Sequence, residues 1–327
     1  MGMLMWCVLL KAGLTIVPVA VQGDEVGIPE MVQSSDGNYL LTLSEYRIAT
    51  VWKVGQLKPV ATYKVKGLPN GIAFHPTRQT ALISDGSGFL EWNWSKENSE
   101  PQPLFSPQTN TKEAIQDSNN VQRLDISADG KILAFRDTLG NIKSQTVPDG
   151  KARSIAKVEL ADRSRAWIRF VSTSSFLAFN DVGEIRVYDL ARAQEIFPFK
   201  GNKDEVSSLD VSSDGKLLAI GTREGPAQVW SIDKKAIVTL IDKGNDDGVI
   251  KVRFSLDGTR LCCAGTNKIA VYRTKDMKLL SKWDGPKGGA SSLVMTKDNN
   301  TVITVGEAPH PRYWDVATGK ERQLQKE

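Results

Sequence analysis

A chain of 327 residues with 40% hydrophobic and 24% charged side chains has the composition of a soluble globular protein, which excludes a disordered or collagen-like chain. Its net charge of +4 comes from basic and acidic residues interspersed along the whole length. The long like-charge blocks of nucleic-acid-binding tails are absent, so nucleic acid is not an expected partner. Three cysteines with no Cys-x-x-Cys pair give neither a disulfide framework nor a redox or metal motif; Cys262 and Cys263 are neighbours on one predicted strand and point to opposite faces.

The first 23 residues read apart from the rest. Met3–Leu10 and Leu14–Val21 are apolar, Lys11 divides them, and Val21-Gln22-Gly23 precedes Asp24-Glu25 in the manner of a leader cleaved after Gly23. An extracytoplasmic location is therefore expected, with a cytoplasmic one as the alternative. Lys11 and the lack of any Lys or Arg before Leu10 count against a leader. Retained, the segment would be a membrane anchor, and membrane contact is expected only in that case; Lys11 breaks the run of about 20 apolar residues that a span needs. Two further readings stay open. Thr15–Val21 would pair as an outer strand closing the last repeat, with Pro18 confining it to an edge, or the start is assigned too early.

From there to the end, one phrase recurs: an alternating strand, an Asp-Gly-like turn, an apolar run, then an aromatic about 15 residues beyond the turn. The second turn residue falls at Gly37, Pro76, Gly130, Ser174, Gly215, Gly258 and Asn299, in steps of 39, 54, 44, 41, 43 and 41 residues. A period of about 40–45 residues with four strands per unit predicts an all-β fold, a seven-bladed β-propeller of four-stranded antiparallel blades over residues 24–327. A lone blade cannot cover both of its faces, so the units form one body.

In chain order, the predicted first strands are Pro29–Ser34, Asn70–Phe74, Val121–Ile126, Ala166–Val171, Val206–Val211, Val249–Phe254 and Ser291–Met295. The second strands are more uniformly apolar, as in Leu133–Phe135, Phe176–Phe179, Leu217–Ile220 and Val302–Val305, which suits strands covered on both faces. The third strands end at Trp52, Trp92, Tyr188, Trp230, Tyr272 and Trp314, with Gln145 in the third unit instead of an aromatic. Outer strands follow, such as Lys58–Val65, Ala236–Ile241 and Lys278–Trp283. The long second step puts an insertion within Ser95–Asn120. It reads as a solvated connection or, more sharply, as a partner-binding flap anchored by Leu104 and Phe105.

Trp314-Asp315, Tyr188-Asp189, Trp230-Ser231, the Ser-x-Asp-Gly turns at Ser127, Ser212 and Ser255, and Phe74-His75-Pro76 together make the chain resemble the WD-repeat family. The resemblance runs over nearly the whole chain. It implies a propeller that works as a non-enzymatic scaffold for protein–protein interaction. Members often open each repeat with Gly-His, whose imidazole joins a Ser–Asp–Trp hydrogen-bond chain. Here the only histidines are His75 and His310, and neither follows a glycine. That polar chain is therefore missing or rebuilt.

Candidate binding residues lie on the loops between second and third strands, which such a topology gathers on one rim: Tyr46, Asp85, Arg136, Asp181, Arg223, Lys268, His310 and Arg312. A solvated face is the bland reading of this mixed rim. Metal chemistry finds little support, because His75 and His310 belong at opposite ends of their blades; Asp85, Asp137 and Asp181 are the only oxygen-ligand set to consider. No Gly-x-Ser-x-Gly elbow occurs, and Thr318-Gly319-Lys320 lacks the upstream glycine of a phosphate loop. No catalytic residue, metal or cofactor is expected, and the partner is a protein whose identity the sequence does not name. The alternative is a propeller hydrolase or lactonase, or a small-ligand-binding propeller, using acidic loops at the channel mouth. The third-strand aromatics read as packing residues; Trp94 and Trp283, off that register, are candidates for exposed contacts but read first as packing.

Overall fold

The computed structural model describes residues 29–324 apart from 87, 106–120, 138, 148–149, 151, 159–166, 172–175, 182–183, 200–205, 224 and 242–250. The readings of residues 1–23 lie outside this set. Within it the chain forms seven antiparallel sheets, each made of four strands consecutive in sequence. The inner strands are Glu30–Gln33, Ile72–Phe74, Val121–Ile126, Ile168–Val171, Val206–Val211, Lys251–Phe254 and Ser292–Met295. Each touches the next and the seventh touches the first, so the sheets are the blades of a closed seven-bladed β-propeller.

Hydrophobic patterning explains the stacking. Second strands lie between neighbouring blades on both faces, and their Leu40, Leu82, Leu133, Leu177, Leu218, Leu261 and Val302 are fully buried. Cys262 and Cys263 follow the predicted alternation: Cys262 packs with the core shared by blades 6 and 7, Cys263 with that of blades 5 and 6. Burial pushes both thiols up, which keeps them unreactive. Trp94 and Trp283 are buried as well. Trp94 packs on Tyr39 and Phe74 with ring centroids 4.6 and 6.1 Å apart.

The Asp-Gly turns are a repeated hydrogen-bond device. Ser34 Oγ donates to Asp36 Oδ1 and accepts from Tyr39 N, while Asp36 Oδ1 also accepts from Asn38 N. The same pattern recurs at Ser127/Asp129, Ser212/Asp214, Ser255/Asp257 and Thr296/Asp298. In blade 2 the imidazole of His75 stands where the serine would: its backbone N donates to Thr80 O, as Ser127 N does to Ile132 O. Arg78 donates to His75 Nε2, and burial together with this cation holds the imidazole below its ordinary pKa. Gly130, at φ +72°, is required twice over, since a Cβ there would lie 2.4 Å from His75 Cε1.

The third-strand tryptophans replace the missing polar chain with short local bonds. Trp52 Nε1 donates to Thr42 Oγ1 and Trp314 Nε1 to Thr304 Oγ1, both at 2.8 Å; Trp230 Nε1 donates to Gln228 Oε1 at 2.9 Å. Gln145, in the aromatic's place, donates to Gly150 O at 2.8 Å. One expectation is overturned in blade 2. Leu104 and Phe105 are buried rather than displayed, because Leu104 N pairs with Phe89 O and Phe105 packs edge-on against Phe89.

Candidate functional site

Antiparallel topology puts the second-to-third loops and the connections between blades on one face, and the Asp-Gly turns on the other. On the loop face Tyr46 is 57% exposed, beside Arg47 at φ +64°. The Arg47 guanidinium donates to Gly67 O, Leu68 N donates to Asp85 O, and the Asp85 carboxylate accepts from Gly88 N. Arg47, Leu68 and Asp85 thus belong to one bonded patch across blades 1 and 2, with Tyr46 next to Arg47 in sequence. Arg223 is exposed on the far side of the ring. With Lys251, Ser207, Ser291, Thr266 and the Gly288-Gly289 pair it lines a cavity of about 260 Å³ between blades 5, 6 and 7. His310 is exposed in blade 7.

The remaining candidates divide. Arg136 is not on the rim: the second strand of blade 3 runs on through Ile132–Asp137, which carries Arg136 between blades at 1% exposure. Asp137 is buried too and turns into its own loop, accepting from Leu139 N, Asn141 N and Asn141 Nδ2. Asp181 ends the strand Phe176–Asp181, and its side chain lies outside the described residues. Lys268 pairs with Asp284 across the third and outer strands of blade 6. Arg312 clamps blade 7, donating from Nε and Nη2 to Glu321 at 2.7 and 2.5 Å while its guanidinium lies 4.8 Å from the centre of the Trp314 ring. Among the described residues, no three of His, Cys, Asp and Glu gather as a metal site.

The inner strands build a second feature, which loop reasoning missed. The residue two positions before each turn serine, or its counterpart, is Val32, Ala73, Asp125, Arg169, Asp210, Arg253 and Val294, blade by blade. All seven line a cavity of about 320 Å³ at the turn-side mouth of the channel. Two residues further in are Glu30, Gly71, Arg123, Trp167, Ser208, Lys251 and Ser292. Arg123 reaches past blade 2, whose residue at this level is Gly71, to pair with Glu30 at 2.5 Å. Arg123 and Lys251 both lie against the Trp167 ring, 4.8 and 4.9 Å from its centre. That inner layer leaves a void of only about 20 Å³, so the turn-side cavity is a dead end.

In the outer layer the charges alternate around an arc. Asp125 Oδ2 accepts from Phe170 N at 2.9 Å, and Asp210 Oδ2 from Phe254 N at 2.7 Å, each bond joining two blades. Arg253 Nη1 donates to Asp210 Oδ1 at 3.0 Å. Burial pushes the Asp125 carboxyl up against the pull of Arg169, and pushes the Arg253 guanidinium down despite Asp210. Aligning the seven repeats at their turns would have revealed the D-R-D-R sequence of this arc. Reading only the loops hid it.

Comparison with known proteins agrees with this architecture. Residues 168–256 match the model of the anaphase-promoting complex subunit 4 WD40 domain. Over 215 residues the chain is 27% identical to Protein SPA1-RELATED 3 of Arabidopsis thaliana, covering 62% of this chain and 25% of that protein. Over 245 residues it is 23% identical to the WD repeat-containing protein 55 homolog of Dictyostelium discoideum, covering 72% of this chain and 55% of that one. A third relative, the periodic tryptophan protein 2 homolog of Schizosaccharomyces pombe, is 26% identical over 171 residues, 45% of this chain and 20% of its own. The chain thus spans between a fifth and about half of the length of these relatives. The chain is thus a seven-bladed β-propeller similar to WD-repeat proteins, with its repeats held by Ser–Asp turns and tryptophan–threonine bonds instead of the histidine-centred chain.

Proposed function

We propose that the protein is a non-enzymatic interaction platform whose loop face, built by blades 1 to 3, receives a protein partner. One observation carries the reading. Among the described residues, large apolar side chains stand exposed either on outer strands, as Val60, Ile196, Ile237 and Leu279 do, or on the loop face, where Tyr46, Leu68 and Leu139 are 57%, 59% and 68% exposed. None is on the turn face. Apolar groups held on rigid loops above a propeller are what a partner surface can bury, and an aromatic among them is a natural anchor. The matched family model describes a subunit of a multiprotein complex, which supports the same reading.

Cross-linked capture of the full chain tests it. A partner recovered stoichiometrically with the wild type is expected to be lost when Tyr46→Ala, Leu68→Asp and Leu139→Asp are combined. It is expected to be kept by Val238→Asp with Leu240→Asp on the outer strand of blade 5. Retention by the first variant and loss by the second would move the interface to the rim of the disc. The proposal also places the protein outside the cytoplasm, with residues 1–23 removed; N-terminal sequencing that finds an intact Met1 on a soluble protein would refute that part.

A further inference from the structure

The dead-end cavity at the turn-side mouth lies on the face opposite the proposed partner surface and is independent of that reading. Its polar groups are unequally satisfied. Asp125 and Asp210 each have one oxygen committed to a backbone N–H, and Asp210 also accepts from Arg253. Arg169 stands between them with Nη1 3.9 Å from Asp125 and Nε 3.6 Å from Asp210, beyond hydrogen-bond reach of both. Its Nε is buried and finds no acceptor. A buried donor left in this state requires an explanation, and the acceptor that would satisfy it has to enter from the cavity.

Charge and shape narrow what enters. In the cavity wall two cations (Arg169, Arg253) face two carboxylates (Asp125, Asp210), and Arg253 is already committed to Asp210, which leaves Arg169 Nε as the donor without an acceptor. A single negative charge suits it. A dianion such as phosphate would be repelled by the two flanking aspartates, whereas a planar carboxylate matches the guanidinium edge. The other half of the wall is apolar, formed by Val32, Ala73 and Val294 with Phe74 beside them. A volume near 320 Å³ falls at the small end of ligand pockets, and apolar walls with a few convergent polar groups are the usual lining of such sites.

We propose that this cavity binds a small monocarboxylate, its charged end on Arg169 and its apolar body against the Val32–Ala73–Val294 arc. Calorimetric and ligand-observed NMR titration of the full chain with 3-phenylpropanoate and 4-methylpentanoate tests the assignment, with the corresponding amides as controls. Saturable one-to-one binding of the acids is expected, with the amides weaker by about tenfold or more because they lack the charge. Arg169→Met is expected to lose a similar factor, Arg169→Lys to keep part of the affinity, and Val294→Phe to abolish binding by filling the apolar side while Arg169 stays in place. Circular dichroism and melting temperature establish that each variant is folded. Amides that bind as well as acids, Arg169→Met that binds unchanged, or no saturable binding by the wild type up to about 10 mM would each overturn the proposal.

Discussion

The two arcs of the inner ring hold their blades together by different means. Between blades 3 and 4 and between blades 5 and 6 the inner strands are tied by side chains that reach the next blade's backbone, as Asp125 does to Phe170, Ser208 to Val252 and Asp210 to Phe254. From blade 7 through blade 1 to blade 2 the same positions are Val294, Val32 and Ala73, and the closing junction is an apolar core of Met31, Leu40, Trp52, Val294, Ile303, Val305 and Tyr313. Only two polar bonds described there cross it: Ser292 Oγ to Met31 O and Gly55 N to the Tyr313 hydroxyl. Polar rungs fix the register of one blade on the next, while apolar packing tolerates small adjustments as the ring shuts. The contrast assigns different penalties to comparable deletions.

The first is expected in the polar arc. Asp210→Ala strands the largely buried Arg253 and leaves Phe254 N without its acceptor, a loss of about 3 kcal/mol in stability. Replacing the pair together, Asp210→Val with Arg253→Val, copies the chemistry of the opposite arc and is expected to recover much of that loss, since buried ion pairs are often replaceable by apolar residues of similar size. Chemical denaturation of the single and double variants reads both numbers. If the double variant is no better than the single, the rungs do more than satisfy one another.

At the closing junction, Ile303→Ala removes a fully buried side chain from the second strand of blade 7 and is expected to cost about 2–4 kcal/mol through lost burial and a residual cavity. The unfolding midpoint in denaturant checks this, and an unchanged m-value would show that the ring still unfolds as one unit. Tyr313→Phe is milder. It deletes the hydroxyl that accepts from Gly55 N across the junction and keeps the ring's packing, for an expected loss of about 1 kcal/mol. A loss as large as that of Asp210→Ala would mean that closure depends on polar bonds after all.

Much of this architecture is legible in the sequence because each repeat reports it independently. The spacing of Gly37, Gly130, Gly215 and Gly258, and the apolar runs after them, are local consequences of a turn and a covered strand. The inner strands Val121–Ile126 and Val206–Val211 agree residue for residue with their periodicity. The site was less legible. Arg136 reads as a loop residue because a charged side chain after an apolar run suggests a strand end, yet the strand continues and neighbouring blades bury it. Arg312 reads as a rim cation, but Glu321 on the outer strand takes both ends of its guanidinium, a pairing set by register that no single repeat displays. The charged arc escaped for the opposite reason: Asp125, Arg169, Asp210 and Arg253 are ordinary inside their own strands and gain meaning only when seven copies are laid around one axis.

The smallest effect belongs to the turns that border both arcs alike. Asp257 accepts from Ser255 Oγ, Thr259 N and Asn299 Nδ2, the last a bond between blades 6 and 7. Partial burial raises its pKa, but these hydrogen bonds outweigh that and hold the carboxyl at about 2. An unfolded aspartate titrates near about 3.9. The folded state therefore binds a proton less readily than the unfolded one, and the contribution of Asp257 is fully present above about pH 4 and is lost as pH falls toward 2. The group is largely exposed, so solvent screens the effect. Asp257→Ala is expected to lower the melting temperature by about 2 °C at pH 7. The melting curves of variant and wild type should then converge as the pH is brought down to about 2, where the wild-type carboxyl is itself protonated. A gap between the two that persists unchanged to that pH would show that Asp257 acts through the shape of its turn and not through its charge.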